Sequence, residues 1–333
     1  MTPEFKGAVF YFLEVEVVQI ADMKKKIINN ISHVIFGKDE VIEKLIVAFM
    51  IGGHVLMEDV PGTGKTVLAR ALATSLGLKF RRVQFTPDLL PTDLTGLSVY
   101  SKETGKFEFK EGPIFTDVLL ADEINRATPK TQSALLEAMA ENQVTVDGIT
   151  HKLSDNFFVI ATQNPIEYEG TFPLPEAQLD RFAFILKIGY PEHEMEIEML
   201  TSQMDHHPID DVKPVLSLNE AEFVRNAVRS VTVDDTIKEY IVSIVEHTRF
   251  NKDLYLGASP RASLNLMKGA MAHALLDGRD YVIPDDVKII VKETLYHRLI
   301  LTSEARVRLR KMEDVINEII EEVAVPVMKK DEI

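Results

Sequence analysis

The chain has no cysteine. Disulfides and thiolate-held metal centres are excluded, which fits a reducing, cytoplasmic setting. It is also short of positive charge. Lys and Arg number 37 against 52 Asp and Glu, a net charge of −15. That balance argues against nucleic acid as a partner, since phosphate backbones call for a basic footprint, although a local basic channel in an oligomer stays compatible with it. The nine histidines show no zinc-ligand spacing, and His206-His207 reads as a polar loop pair. A bilayer-length apolar run is missing too. The apolar stretch Gly7 to Leu13 is followed by Glu14 and Glu16, so it is too short to span a membrane and a poor signal peptide.

What is present is a typical globular composition, 46% apolar and 27% charged over 333 residues, a length for which two domains are expected. Met23-Lys24-Lys25-Lys26 looks like a second start, so residues 1–22 read as an extension of uncertain status, 23–190 as an α/β core and 191–333 as a helical domain. The acidic runs near 192–198 and 318–322 read as solvated helix faces.

The chain is organised around His54 to Leu76, a short apolar strand, a Pro/Gly turn and a helix opened by Lys65 and Thr66. This is the order that a phosphate-binding loop requires. Gly62 and Gly64 permit backbone angles and a close approach that a Cβ would block. Successive N–H groups and the helix start then face phosphate oxygens. The cradle is expected to run through Asp59, Val60, Pro61, Gly62, Thr63, Gly64, Lys65, Thr66 and Val67. Lys65 reaches the β- and γ-phosphates of ATP, and the Thr66 hydroxyl ligates Mg²⁺. Asp59 stands where the general pattern has glycine, and its charge is expected at the strand end, facing away from the phosphates. Ile35, Phe36 and Gly37, before the helix Lys38 to Met50, either line the adenine pocket or pack the core.

Phe115 to Glu123 reads as a buried strand ending in two carboxylates, at the edge where a phosphate loop opens. Asp122 is expected to hold Mg²⁺, and Glu123 to deprotonate the attacking water. Alone, the pair reads equally as an acidic helix cap. Asn156 to Gln163 is another buried strand, and Asn164 at its tip either positions that water or starts an Asn-Pro turn. Two short alternating runs, 97–101 and 106–109, and the Asp147-Gly148 turn read as hairpins. In Glu176 to Phe182, Arg181 is a surface residue in a monomer, but in a ring it reaches a neighbour's γ-phosphate. Beyond residue 191 the patterns are helical, without a strong strand. Ser217 to Glu220 is a capping box. Ser259-Pro260 places Arg261 in a first helical turn, where it is a phosphate ligand or a misplaced charge. Ser303 to Val323 reads as one last amphipathic helix.

Taken together, Pro61 to Thr66, LLADEINRA at 119–127, ATQNP at 161–165, EAQLDRF at 176–182 and GASPRA at 257–262 resemble the MoxR family of AAA+ ATPases over residues 30–300. The resemblance implies a five-stranded parallel αβα nucleotide domain followed by an all-helical lid, with ATP and ADP as ligands and Mg²⁺ as cofactor. It casts Lys65 and Thr66 as the Walker A pair, Asp122 and Glu123 as the Walker B pair, Asn164 as sensor 1, Arg181 as the arginine finger and Arg261 as sensor 2. It casts residues 96–110 as the helix-2 insert and the hairpin at 144–150 as the pre-sensor-1 hairpin. It further implies hexameric rings, chaperone-like remodelling of proteins and partners with von Willebrand factor A domains. Two other readings stay open: a nucleotide-switched scaffold with incidental hydrolysis, and a DNA-acting motor, which the net charge and the Val/Thr/Asp-rich hairpin disfavour.

Overall fold

Short apolar runs at 55–57, 118–121, 158–161 and 184–186 alternate with helices in the first half of the chain and become strands of one parallel sheet, whose remaining strand, at 80–84, carries two arginines. The computed structural model describes residues 3–165, 170–204 and 206–326, with side chains described from residue 17 onward. The first half contains α1 (Pro3–Ser32), α2 (Asp39–Met50), β1 (Val55–Glu58), α3 (Lys65–Ser75), β2 (Phe80–Gln84) and α4 (Pro91–Thr95). It continues with the antiparallel hairpin β3 (Gly96–Ser101) and β4 (Lys106–Glu111), then β5 (Val118–Asp122) and α5 (Pro129–Glu141). A second hairpin, β6 (Gln143–Val146) and β7 (Ile149–Lys152), precedes β8 (Phe158–Gln163), α6 (Glu176–Leu179) and β9 (Phe184–Leu186).

The sheet order is β2-β5-β8-β1-β9, with every pairing parallel. Successive side chains point to opposite faces of a strand, and the core divides accordingly. Val55, Met57, Val118, Leu120, Phe158 and Ile160 join a cluster with α1, α2 and α3. Leu56, Leu119, Ala121, Val159 and Ala161 join a second one with Leu135, Leu136 and Phe182. Burial on both faces explains why these strands are continuously apolar.

The second half is α7 (His193–Ser202), α8 (Leu218–Ala227), α9 (Asp235–Phe250), β10 (Leu254–Leu256), α10 (Pro260–Leu276), α11 (Pro284–Leu295), β11 (Ile300–Leu301), α12 (Ser303–Val307) and α13 (Met312–Glu322). Its apolar residues, among them Leu266, Ile290 and Ile316, belong to the first cluster, so the helices share a core with one face of the sheet. The Ser217–Glu220 capping box forms as expected, and Asp234 caps α9 by accepting from Thr236 N–H.

Two expectations are corrected, and Met23-Lys24-Lys25-Lys26, read as a second start, lies inside α1, which runs from Pro3. Val17, Ile20, Met23, Ile27 and Ile31 are all buried on one stripe of it, so Val17 and Ile20, before Met23, pack against the same core. The last helix is broken into α12 and α13 at Leu309, whose φ is 57°. There Arg310 bonds Asp253 Oδ2 (3.1 Å) and Glu318 Oε1 (2.9 Å), a tie to a distant residue that amphipathic spacing cannot reveal. Finally, β10 and β11 form a two-stranded antiparallel sheet in a region expected to lack strands.

Candidate functional site

The turn between β1 and α3 closes through two left-handed glycines, Gly62 (φ 85°) and Gly64 (φ 86°). Gly64 is the residue that leads into α3, so the free N–H groups of the first helical turn begin at Lys65 and Thr66. A Cβ at Gly62 would meet nothing within 4 Å, and one at Gly64 would lie 3.3 Å from Ile35 Cδ1. The turn therefore faces open space, and Ile35 lies directly against its wall. Phe36 is half-buried beside it. A Cβ at Gly37 would lie 2.9 Å from Met195 Cγ, which brings α7 over the same segment. Lys65 donates to Asp59 O at 2.6 Å and Thr63 Oγ1 to Val60 O at 3.2 Å. Burial lowers the Lys65 pKa, while Asp59, Asp122 and Glu123 pull it back up.

Asp59 belongs to the loop by its backbone only. Its carboxylate accepts from the N–H groups of Ile188 (2.8 Å), Gly189 (2.6 Å) and Val60 (2.9 Å). From the end of β1 it straps the loop to the chain leaving β9.

The order β5-β8-β1 sets Asp122 and Thr162 at the carboxyl ends of neighbouring strands, with the phosphate loop one strand further. Asp122 Oδ1 accepts from Thr162 Oγ1 at 2.6 Å, and Oδ2 accepts from Arg82 Nη2 at 2.6 Å. Glu123 is left-handed (φ 56°). Its N–H donates to Thr162 Oγ1 at 2.9 Å, and its carboxylate meets Gln84 Nε2 (2.7 Å) and Arg126 Nε (3.0 Å). Asn164 is buried at the tip of β8. Just beneath, Gln163 Nε2 bonds Glu58, whose pKa is raised by burial against the opposing pull of that bond and of Lys187.

Arg181 is exposed and donates to Leu136 O on α5 at 2.7 Å. Arg261, in the first turn of α10, is exposed and pairs with Asp180 at 3.8 Å. So the loop, the carboxylate pair and the β8 tip converge at one edge of the sheet, whereas the two arginines are held by other partners. Reading the sequence missed Thr162, Arg82, Gln84 and Met195. For Thr162 a signal existed, because strand alternation puts it on the same side as Asn164. The other three come from elements whose adjacency only the fold supplies.

A parallel sheet of this order, with a phosphate loop after β1, beside the central β8, an acidic pair at the end of β5 on its other side and a helical region following, defines a P-loop ATPase of the AAA+ class. Residues 54–184 match the family described as ATPases associated with various cellular activities, and residues 246–319 match an AAA lid domain. The chain is 52% identical to the uncharacterized protein YeaC of Bacillus subtilis, covering 91% of this chain and 95% of that one. It is 41% identical to the chaperone MoxR1 of Mycobacterium tuberculosis, covering 91% and 82%. A crystal structure from Cytophaga hutchinsonii, described as a candidate ATPase, superposes with a TM-score of 0.88 at 38% identity, covering 98% and 100%. The chain belongs to the MoxR family of AAA+ ATPases. Among the described residues no helix is long and apolar enough to cross a membrane.

Proposed function

We propose that the protein hydrolyses ATP to ADP and phosphate at the interfaces of a ring, hexameric in its working form, and uses the cycle to remodel partner proteins in the cytoplasm. Proteins with von Willebrand factor A domains are among the expected partners. One observation carries the reading: the phosphate loop with Lys65 follows β1, and the Asp122-Glu123 pair ends β5, one strand away across β8, at the same carboxyl edge of the parallel sheet. Lys65 and the N–H groups of α3 bind the phosphates. Glu123, held in place through its backbone by Thr162, takes a proton from water as that water attacks the γ-phosphorus and the bond to the leaving ADP oxygen breaks. Asn164 orients the same water. Thr66 and Asp122 offer only hydroxyl and carboxylate oxygens, a donor set suited to Mg²⁺, and there Mg²⁺ would neutralise charge on the phosphate oxygens. Arg181 from a neighbouring subunit and Arg261 stabilise charge developing on the phosphoryl group. A finger supplied between subunits is worth roughly 10³–10⁵ in rate.

The remodelling role leans on the chaperone name of the MoxR1 relative. A second reading, a nucleotide-switched scaffold, draws on one feature: both carboxylates are already tied off, by Arg82 and by Gln84 with Arg126.

The test is ATPase rate against protein concentration for wild type, Arg181→Ala, and a mixture of Arg181→Ala with Glu123→Gln. Shared catalysis gives a cooperative rise, lost in Arg181→Ala and partly restored by mixing. A flat, low rate in all three favours the scaffold.

A further inference from the structure

Arg298 lies in the 3₁₀ turn Tyr296–Arg298 that follows α11, within the lid match, and is 5% exposed. A guanidinium so buried needs all its donors taken up. Nearly all of them go to one short stretch of the core. Nε donates to Asp180 Oδ1 (2.7 Å), Nη2 to Asp180 O (3.2 Å) and Phe182 O (2.6 Å), and Nη1 to Ala183 O (3.1 Å) and to Thr294 O. His297 adds a bond from Nε2 to Phe182 O at 3.1 Å. Arg181 sits inside the clamped stretch, with its backbone held on both sides and its guanidinium exposed. The other oxygen of Asp180 faces a different arginine: Oδ2 lies 3.8 Å from Arg261 Nη1 and 3.3 Å from Ser259 Oγ. One carboxylate is therefore shared between a buried arginine, which it grips at full hydrogen-bond strength, and an exposed one at long range.

We infer that Asp180 and Arg298 are positioning residues for Arg181, and that through Asp180 the filling of one subunit's site is felt by the arginine that serves the next. The inference rests on the reading of Arg181 as an arginine finger and of Arg261 as a phosphate ligand. The Asp180–Arg261 contact is the weak one, so a γ-phosphate competes for Arg261 readily. When Arg261 leaves, Asp180 keeps its bonds to Arg298 and loses one positive neighbour, one residue away from Arg181. The lid thus both sets the finger and reports on its own nucleotide.

The alternative is a clamp that only holds the lid to the core. Asp180→Ala and Arg298→Lys separate the two, each assayed alone and mixed with Glu123→Gln, with Arg181→Ala as reference. Positioning errors of this kind cost about 10²-fold in rate. The expected result is about that loss of turnover in both variants, with the affinity of each variant's own site for a fluorescent ADP analogue within twofold of wild type. Partial recovery on mixing is also expected, because Glu123→Gln subunits bring intact fingers to intact sites. A purely structural clamp instead lowers nucleotide affinity in the variant's own site, and mixing does not help. Asp180→Ala keeps the test decisive if the buried Arg298→Lys does not fold. Recovery for Arg181→Ala but not for Asp180→Ala overturns the inference and leaves the finger standing. Wild-type turnover in Arg181→Ala removes the finger reading, and this inference with it.

Discussion

Thr162 holds both acidic residues of the site with one hydroxyl. It donates to Asp122 Oδ1 at 2.6 Å and accepts from the N–H of Glu123 at 2.9 Å. A hydroxyl has one proton and two lone pairs, so both bonds form at once. The second one supports a backbone that would not choose its conformation freely, since a left-handed non-glycine residue costs on the order of 1–3 kcal/mol. The candidate base is aimed from beneath by the neighbouring strand.

Thr162→Val keeps the shape of this fully buried side chain and removes both bonds. The carboxylate oxygen and the amide are then left without their partner, a loss of about 1–3 kcal/mol. Turnover is expected to fall by about 10²-fold through misplacement of Glu123, with nucleotide affinity nearly unchanged. Urea midpoints by circular dichroism and steady-state ATPase assays check the two halves separately. Unaltered turnover would show that Glu123 does not depend on this support.

The strands, the loop and the acidic pair were legible because each is a local signal: apolar runs, two glycines, carboxylates at a strand end. Thr162 was half-legible through alternation. Arg82 and Gln84 were not, because β2 meets β5 across 38 positions in the chain, Phe80 opposite Val118. Arg298 was invisible for the same reason, its partners Asp180, Phe182 and Ala183 lying more than a hundred residues earlier. Asp59 was legible as an anomaly whose partners, Ile188 and Gly189, only the fold reveals. The break at Leu309 was hidden because apolar spacing continues through it.

Asp59→Gly would restore the general glycine pattern of phosphate loops and yet harm this one. It removes a carboxylate that takes three backbone N–H groups, one of them on buried Ile188. Loss of about 2–4 kcal/mol is expected, together with weaker nucleotide binding as the loop comes away from the end of β9. Urea unfolding and a fluorescent-nucleotide titration measure these effects. Stability equal to wild type would mean that the strap contributes nothing.

Gly64→Ala tests the turn itself. The new methyl must adopt φ near 86° and approach Ile35 Cδ1 to 3.3 Å. The left-handed conformation alone costs about 1–2 kcal/mol. Because the strain sits where the α3 N–H groups are presented, nucleotide affinity is expected to drop by more than tenfold while the circular dichroism spectrum stays the same. Retained affinity would place the phosphates elsewhere.

Acid should destabilise the protein through His54. The ring is fully buried before β1. Its Nδ1 accepts from the N–H of Val159 (3.0 Å), so Nε2 carries the proton and donates to Met139 O (3.1 Å). A second proton on Nδ1 would break the Val159 bond and charge a dry site. Burial, aided by Arg225, accordingly lowers its pKa from 6.5 to about 4. Between those values the unfolded chain binds the proton and the folded one does not, so stability rises with pH in that window. The contribution is intact above 6.5 and falls by about 3 kcal/mol as pH drops towards 4. His54→Asn keeps an acceptor for Val159 and does not titrate. It should be modestly less stable at pH 7.5, yet lose less on acidification. Some slope remains from buried His297, whose pKa is also pushed well down. Urea midpoints measured from pH 7.5 to 4.5 compare the two proteins, and parallel curves would show that the buried ring at the foot of β1 is not what acid attacks.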